Sequence, residues 1–281
     1  MNGLNSAAKQ LSLKIHCDSF LLETLVLVDT RLTESSARIL ENNWDNRFWI
    51  HSYGITTEGG IGRGISIGIL KRSPLNILDK IEVKQGNMIL IKFCKDSKIF
   101  CLAGIYAPST GDRPGFFERL FFEMAAIDCD HKLAVGDYNV ALNPTLDTLN
   151  YSEIRRPNAR EKILDKMGEG GFIDIFRQNF PDKKTFSWES TGNDRKARLD
   201  YFLIDGSLGR YVNEINYANL FASDHKMVYI EIHFAKFKQG KAHHTSDEEL
   251  NYKIVREIYN SCRDMSKSQE ILIFMSLLIL V

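Results

Sequence analysis

The chain has little of what marks a secreted, zinc-binding or membrane-embedded protein. Its five cysteines, Cys17, Cys94, Cys101, Cys129 and Cys262, are odd in number and widely scattered. None forms a CxxC pair or a cysteine–histidine cluster at zinc spacing, which argues against a disulfide framework and a zinc site. A reducing, intracellular compartment is the expectation. The opening segment, MNGLNSAAKQLSLKIH, lacks the apolar core of a secretory signal. The apolar run from Ile271 to Val281 falls well short of the roughly twenty residues that span a bilayer. It reads as a truncated core helix or strand, and no membrane association is expected. An excess of charge of one sign is missing too, since 36 basic residues balance 36 acidic ones. No global field draws the protein onto nucleic acid, so any such contact needs a local patch. Internal repeats are absent.

What is present is an ordinary globular composition, 281 residues with 44% hydrophobic and 26% charged. Such a chain can bury a sizeable core without disulfide or metal staples. Short apolar runs alternate with polar helical stretches from Leu25 onward. LETLVLVDT, GISIGIL (Gly64 to Leu70), MILIKF (Met88 to Phe93), IFCLAGIYAP (Ile99 to Pro108), KLAVGDYNV (Lys132 to Val140) and KMVYIEIHF (Lys226 to Phe234) predict strands. TFSWES and ARLDYFLI (Ala197 to Ile204) predict a strand pair around the loop TGNDRK. Helices are predicted over PGFFERLFFEMAAID (Pro114 to Asp128) and NAREKILDKMGE. The glycine-rich stretch EGGIGRG (Glu58 to Gly64) has neither a GK[ST] ending nor a following helix, so it predicts a turn and not a phosphate loop. Many strands with interspersed helices and no regular βαβ rhythm indicate a mixed-sheet α/β sandwich with helices outside. Composition changes near residue 235. A first domain is therefore expected over 1–235, with a polar linker and helical tail over 236–281.

Several predicted strands end in acidic or amide residues: Asp29, Asp137 with Asn139, Asp200, and Asp224 with His225. Strand ends in α/β architectures converge on a common crevice. Carboxylates and amides with one histidine and no cysteine are hard oxygen ligands, suited to Mg²⁺, with Mn²⁺ as the alternative. Such a site can polarise a phosphate and activate water, and a histidine beside it can act as general base or acid. Each piece alone has a blander reading: a DxN after a strand is ordinarily a turn, and SDH a surface tripeptide. Asp200 is harder to dismiss, because a carboxylate inside an apolar strand costs several kcal/mol unless paired or metal-bound.

IYAPST, GDYN, TFSWES followed by ARLDYFLI, and SDHKMVYIEI occur in the order and approximate spacing of the endonuclease/exonuclease/phosphatase superfamily. NGLNSAAKQ, DRPGFFERL, NPTLDTLNY, GFIDIFRQNFPDKKTFSW and SDEELNYKIVREI further resemble the endonuclease domain of non-LTR, LINE-type retrotransposons. The resemblance runs from Asn2 to about His233. It implies a four-layer sandwich of two mixed β-sheets flanked by helices, with the first strand truncated and a sheet edge left exposed. It also implies a tail connecting to a reverse transcriptase, of which no signature follows.

The resemblance further implies Mg²⁺-dependent nicking of DNA with a 3′-hydroxyl product. DNA is the implied partner, no obligate protein partner is expected, and a nuclear location follows only from DNA as substrate. Two alternatives stay open, an abasic-site repair nuclease and a weak or silent retroelement relic that only binds nucleic acid. Residue by residue, the resemblance puts Asp29 at the position of a metal-binding glutamate, with Asp224 and Asn2 supporting the metal. Asp137 and Asn139 position water and scissile phosphate, Asp200 orients His225, and His225 acts on the phosphate or the nucleophile. Tyr106 and Thr185 contact phosphate, and Ser223 shapes the loop. The hairpin Glu189 to Lys196 probes the DNA, with Arg195, Lys196 and Arg198, and also Arg155 and Arg156, as its basic patch. Two departures from the pattern, the missing first strand and aspartate for glutamate at Asp29, predict weakened activity.

Overall fold

The computed structural model describes residues 3–4, 6–20, 22–73, 75–95, 97–151, 157–192, 194–220, 223–233 and 272–279. Along the strand Thr24–Val28, Val26 and Val28 enter one apolar cluster while Leu25 and Leu27 enter another. Successive strand side chains point to opposite faces, so this strand lies between two apolar layers. The strand Met88–Lys95 behaves alike: Ile89, Ile91 and Phe93 join Val26, whereas Met88 and Leu90 join a third cluster. The shared cluster is therefore the filling between two sheets. Outside one sheet, Leu13, Cys17, Ala37 and Leu40 come from the helices Ala7–Phe20 and Glu34–Asn43. Outside the other, Phe117, Leu120 and Ile163 come from the helices Arg113–Ala126 and Pro157–Gly170. The result is the expected four-layer α/β sandwich, helix–sheet–sheet–helix.

The first sheet runs, edge to edge, Val212–Asn219, Lys226–His233, Leu272–Ile279, Thr24–Val28, Ile65–Leu70 and Arg47–Ser52. The second runs Phe172–Asp174, Asp200–Asp205, His131–Asp137, Lys98–Tyr106, Met88–Lys95 and Asn76–Lys84. Both are mixed: Thr24–Val28 is parallel to Leu272–Ile279 and Lys98–Tyr106 to His131–Asp137, and the other pairings are antiparallel.

Several sequence expectations are corrected. The apolar run after Ile271, expected as a core helix or strand within a tail over 236–281, is a strand of the first sheet. Its residues Leu272–Ile279 form a central strand, parallel to Thr24–Val28 and antiparallel to Lys226–His233. The edge expected to lie open is covered by it, because an apolar eight-residue strand satisfies the backbone of both neighbours. The predicted linker and the helix-like stretch over 236–262 lie outside the described residues. TFSWES contributes only Trp188–Glu189 as strand, and it pairs with Lys196–Ala197 in a small separate sheet. The turn at Glu58 to Gly64 contains half a hairpin, since Gly60–Gly62 pairs with Ile55–Thr57. The helix Ala7–Phe20 went unread because its apolar residues do not keep to one face: Leu13 is 1% exposed but Leu11 is 59% and Ile15 64%. No helix among the described residues is long and apolar enough to cross a membrane.

Candidate active site

The second sheet carries the site at one rim. Tyr106 lies opposite Asp137 in the parallel pairing, and Asp137 lies opposite Asp200 in the antiparallel one. The three residues thus form one row across three strands. They share parity with Leu102, Val135 and Phe202, which fill the space between the sheets, so the row points to that same inter-sheet side, at its rim. Gly136 makes this register feasible. A Cβ there would sit 1.8 Å from the carbonyl oxygen of Ile105 on the parallel neighbour, and only glycine leaves that space free.

His225 reaches the row from the other sheet, just before the strand Lys226–His233. Its Nδ1 is 2.8 Å from Asp200 Oδ2, with His225 5% and Asp200 0% exposed. Asp137 completes a cluster in which ligand atoms of Asp137, Asp200 and His225 all lie within 4.8 Å of one another. Asp200 Oδ1 is buried and has no hydrogen-bond partner. An orphaned carboxylate oxygen beside a second carboxylate fits a divalent cation or a bound polar substrate group.

Burial and clustered carboxylates shift the titrating groups of this cluster. Burial opposes charge on His225, but the carboxylates of Asp200, Asp137 and Asp224 outweigh it and raise the imidazole to about 9. Asp137 is pushed well above the usual carboxylate range, first by burial and then by the neighbouring Asp200. The Tyr106 hydroxyl is raised by burial and by Asp29 and Asp137. Asn139 sits at φ 51°, donates its N–H to Asp137 Oδ1 at 2.7 Å and ties Nδ2 to the carbonyl of Ala107 at 2.8 Å. Asn139 therefore fixes the loop that carries Asp137.

The other sequence candidates fall in different places. Asp29 is 1% exposed and is held by Arg31 and Arg63, apart from the ligand cluster. Asp224 accepts the indole N–H of Trp188 at 3.0 Å. Ser223 Oγ accepts the backbone N–H of His225 at 3.0 Å, which is the loop-shaping bond. Thr185 is half-buried. Arg195 is exposed in the hairpin, while Lys196 pairs with Glu189 at 2.8 Å. Arg198 requires a correction: it is fully buried and its guanidinium binds Asp147 and Asp174. A wholly desolvated, doubly paired arginine has no face to offer DNA. Asn2, Arg155 and Arg156 lie outside the described residues.

Sequence reasoning missed Ser187 and Trp188. Ser187 Oγ accepts the N–H groups of Leu199 and Asp200 at 2.9 and 3.0 Å, while its carbonyl accepts from Lys226 at 2.7 Å. It therefore fastens the strand bearing Asp200 to the segment bearing His225. The only signal was its place inside TFSWES, which carries no chemistry by itself.

No protein-family model matches the sequence, and no curated protein does. Solved structures do. The catalytic domain of Xenopus laevis APE2 superposes with a TM-score of 0.67 at 18% identity, over 80% of this chain and 88% of that one. The endonuclease domain of TRAS1, a telomere-specific non-LTR retrotransposon, gives 0.62 at 12% identity, over 83% and 95%. The 3′ phosphatase NExo from Neisseria, bound to a product DNA hairpin, gives 0.62 at 15% identity, over 82% and 96%. The layer order, the mixed sheets and these superpositions together show that this chain has the fold of the endonuclease/exonuclease/phosphatase superfamily.

Proposed function

We propose that the chain is a divalent-metal-dependent nuclease acting on DNA, and specifically a Mg²⁺-dependent nicking endonuclease of retrotransposon type. The observation that carries this reading is the buried Asp200–His225 pair facing Asp137, with one Asp200 oxygen left unpartnered. Asp137 and Asp200 would hold the cation, which when bound neutralises phosphate charge and acidifies water.

The chain's own groups divide the remaining work. His225 enters as an imidazolium at neutral pH, held by Asp200 through Nδ1. Its Nε2–H is then a donor for a phosphate oxygen as charge develops there. As a carboxylate, the form a bound cation would favour over the proton that burial otherwise retains, Asp137 would accept a proton from the attacking water. The water oxygen bonds to phosphorus, the P–O3′ bond breaks, and the leaving oxygen takes a proton from solvent. The products are a 3′-hydroxyl and a 5′-phosphate. The Glu189–Lys196 hairpin, with Arg195 exposed, stands beside Trp188 and His225 where a duplex would approach.

The test is supercoiled plasmid incubated with and without Mg²⁺, beside a His225→Ala control. Open circles should form only with metal, and the control should be slower by about 10²- to 10⁴-fold. No nicking by folded protein would overturn the reading in favour of the silent relic. Two solved structures with this fold are named as AP endonucleases, from Leishmania major and Archaeoglobus fulgidus. A duplex with one abasic site therefore belongs in the same experiment, and preferential cleavage there would support the repair-type alternative.

A further inference from the structure

Asp29 ends the strand Thr24–Val28, where the resemblance implies a metal-binding carboxylate. Its bonding is that of a carboxylate already occupied. The backbone is left-handed at Asp29 and again at Arg31, φ 50° and 53°, so the chain doubles back on itself. The guanidinium of Arg31 returns onto Asp29 Oδ2, with Nε at 3.1 Å and Nη2 at 2.8 Å. Oδ1 accepts the backbone N–H of Arg63 at 3.0 Å.

The surrounding backbone holds this arrangement in place. Arg31 N–H reaches the Arg63 carbonyl at 2.7 Å, Thr30 N–H the Gly64 carbonyl at 3.1 Å, and Leu4 N–H the Thr30 carbonyl at 2.8 Å. Arg63 Nη1 is anchored on Asn87 Oδ1 at 2.8 Å. Both guanidinium bonds from Arg31 are charge-assisted and shielded from water on the Asp29 side, where exposure is 1%. A divalent ion at Asp29 would have to displace Arg31 and then sit beside its charge. Asp29 is nevertheless near enough to the cluster for its charge to act on Asp137 and Tyr106, and for His225 to act on it.

We propose that Arg31 is the resident cation of this corner of the site, and that any divalent ion is held by Asp137 and Asp200 without Asp29. The reaction would then draw part of its positive charge from a fixed guanidinium, which is planar, permanently charged and suited to phosphate oxygens. Arg31 is 28% exposed at its side chain, so the residue that binds Asp29 also reaches the surface. The inference rests on the nuclease reading of the site, but its test does not need turnover.

Mn²⁺ binding to the full chain is followed by the electron paramagnetic resonance signal of the free ion. Asp137→Asn should weaken binding about tenfold or more, as loss of a ligand does. Asp29→Asn should leave affinity unchanged. Arg31→Ala should tighten Mn²⁺ binding about tenfold, or add a second ion per chain, by baring a buried carboxylate. Weaker binding in Asp29→Asn, or unaltered affinity and stoichiometry in Arg31→Ala, would overturn the proposal. If Asp29→Asn does not fold, Arg31→Ala decides alone, since that side chain is partly solvated. Should the unaltered chain bind no Mn²⁺, the metal-nuclease reading fails while this one is still decided by whether Arg31→Ala acquires a site.

Discussion

Replacing Arg198 with methionine should destabilise the protein by about 3 kcal/mol, the lower end of the range for removing one partner of a buried ion pair. Arg198 is fully buried, with Nε and Nη2 on the two oxygens of Asp147 at 2.8 and 3.0 Å and Nη1 on Asp174 at 3.3 Å. Burial opposes its charge, yet Asp174, Tyr217 and Asp147 more than compensate, so it stays protonated. Its loss strands two carboxylates in an apolar setting. They are not wholly abandoned: Asp147 keeps Arg177 and the Asn143 N–H, and Asp174 keeps the Arg177 N–H. Those residual bonds are why the lower end is chosen. In a chain this size the shift corresponds to a fall in melting temperature of about 6 to 12 °C. Urea unfolding gives the free energy directly. Adding Asp147→Asn and Asp174→Asn to Arg198→Met should recover much of the loss, because the stranded charges are then gone. A change below about 1 kcal/mol would refute the reasoning, since an unpaired buried carboxylate cannot be that cheap. Lower DNA affinity with unchanged stability would instead restore Arg198 to the DNA-contacting role read from sequence.

The remaining predictions concern pH and the central strand. His225 titrates at about 9 in the fold against an ordinary 6.5, so its pairing with Asp200 stabilises fully below about pH 6.5 and is lost as pH rises through 9. In EDTA, stability should fall by about 3 kcal/mol across that window, and His225→Gln should flatten the curve; an equal slope in both proteins would refute the assignment. Leu277→Pro should break the backbone ladder of Leu272–Ile279 toward Thr24–Val28 and Lys226–His233. Hydrogen exchange should then rise at residues 24–28 and 226–233 and stay low in the second sheet. Unchanged protection at 24–28 would show that the strand does not complete that sheet.

The sequence by itself marked most of the central strands and their acidic ends. Apolar runs such as LVLV and GISIGIL can satisfy their period on both faces only inside a sandwich, and that much is local. Asp200 stood out because its burial demanded a partner, and its partner is His225. Only the tertiary structure decided which residues meet. Register aligned Tyr106, Asp137 and Asp200 in one row, and register depends on pairing across the whole chain. The direction of Arg198, inward to two carboxylates and not outward to DNA, has no trace in a stretch reading RKARLD. The two left-handed residues that fold Arg31 back onto Asp29 are likewise invisible in the letters DTR. The place of Leu272–Ile279 at the centre of a sheet, between strands from opposite ends of the chain, follows from long-range pairing energy that no local propensity encodes.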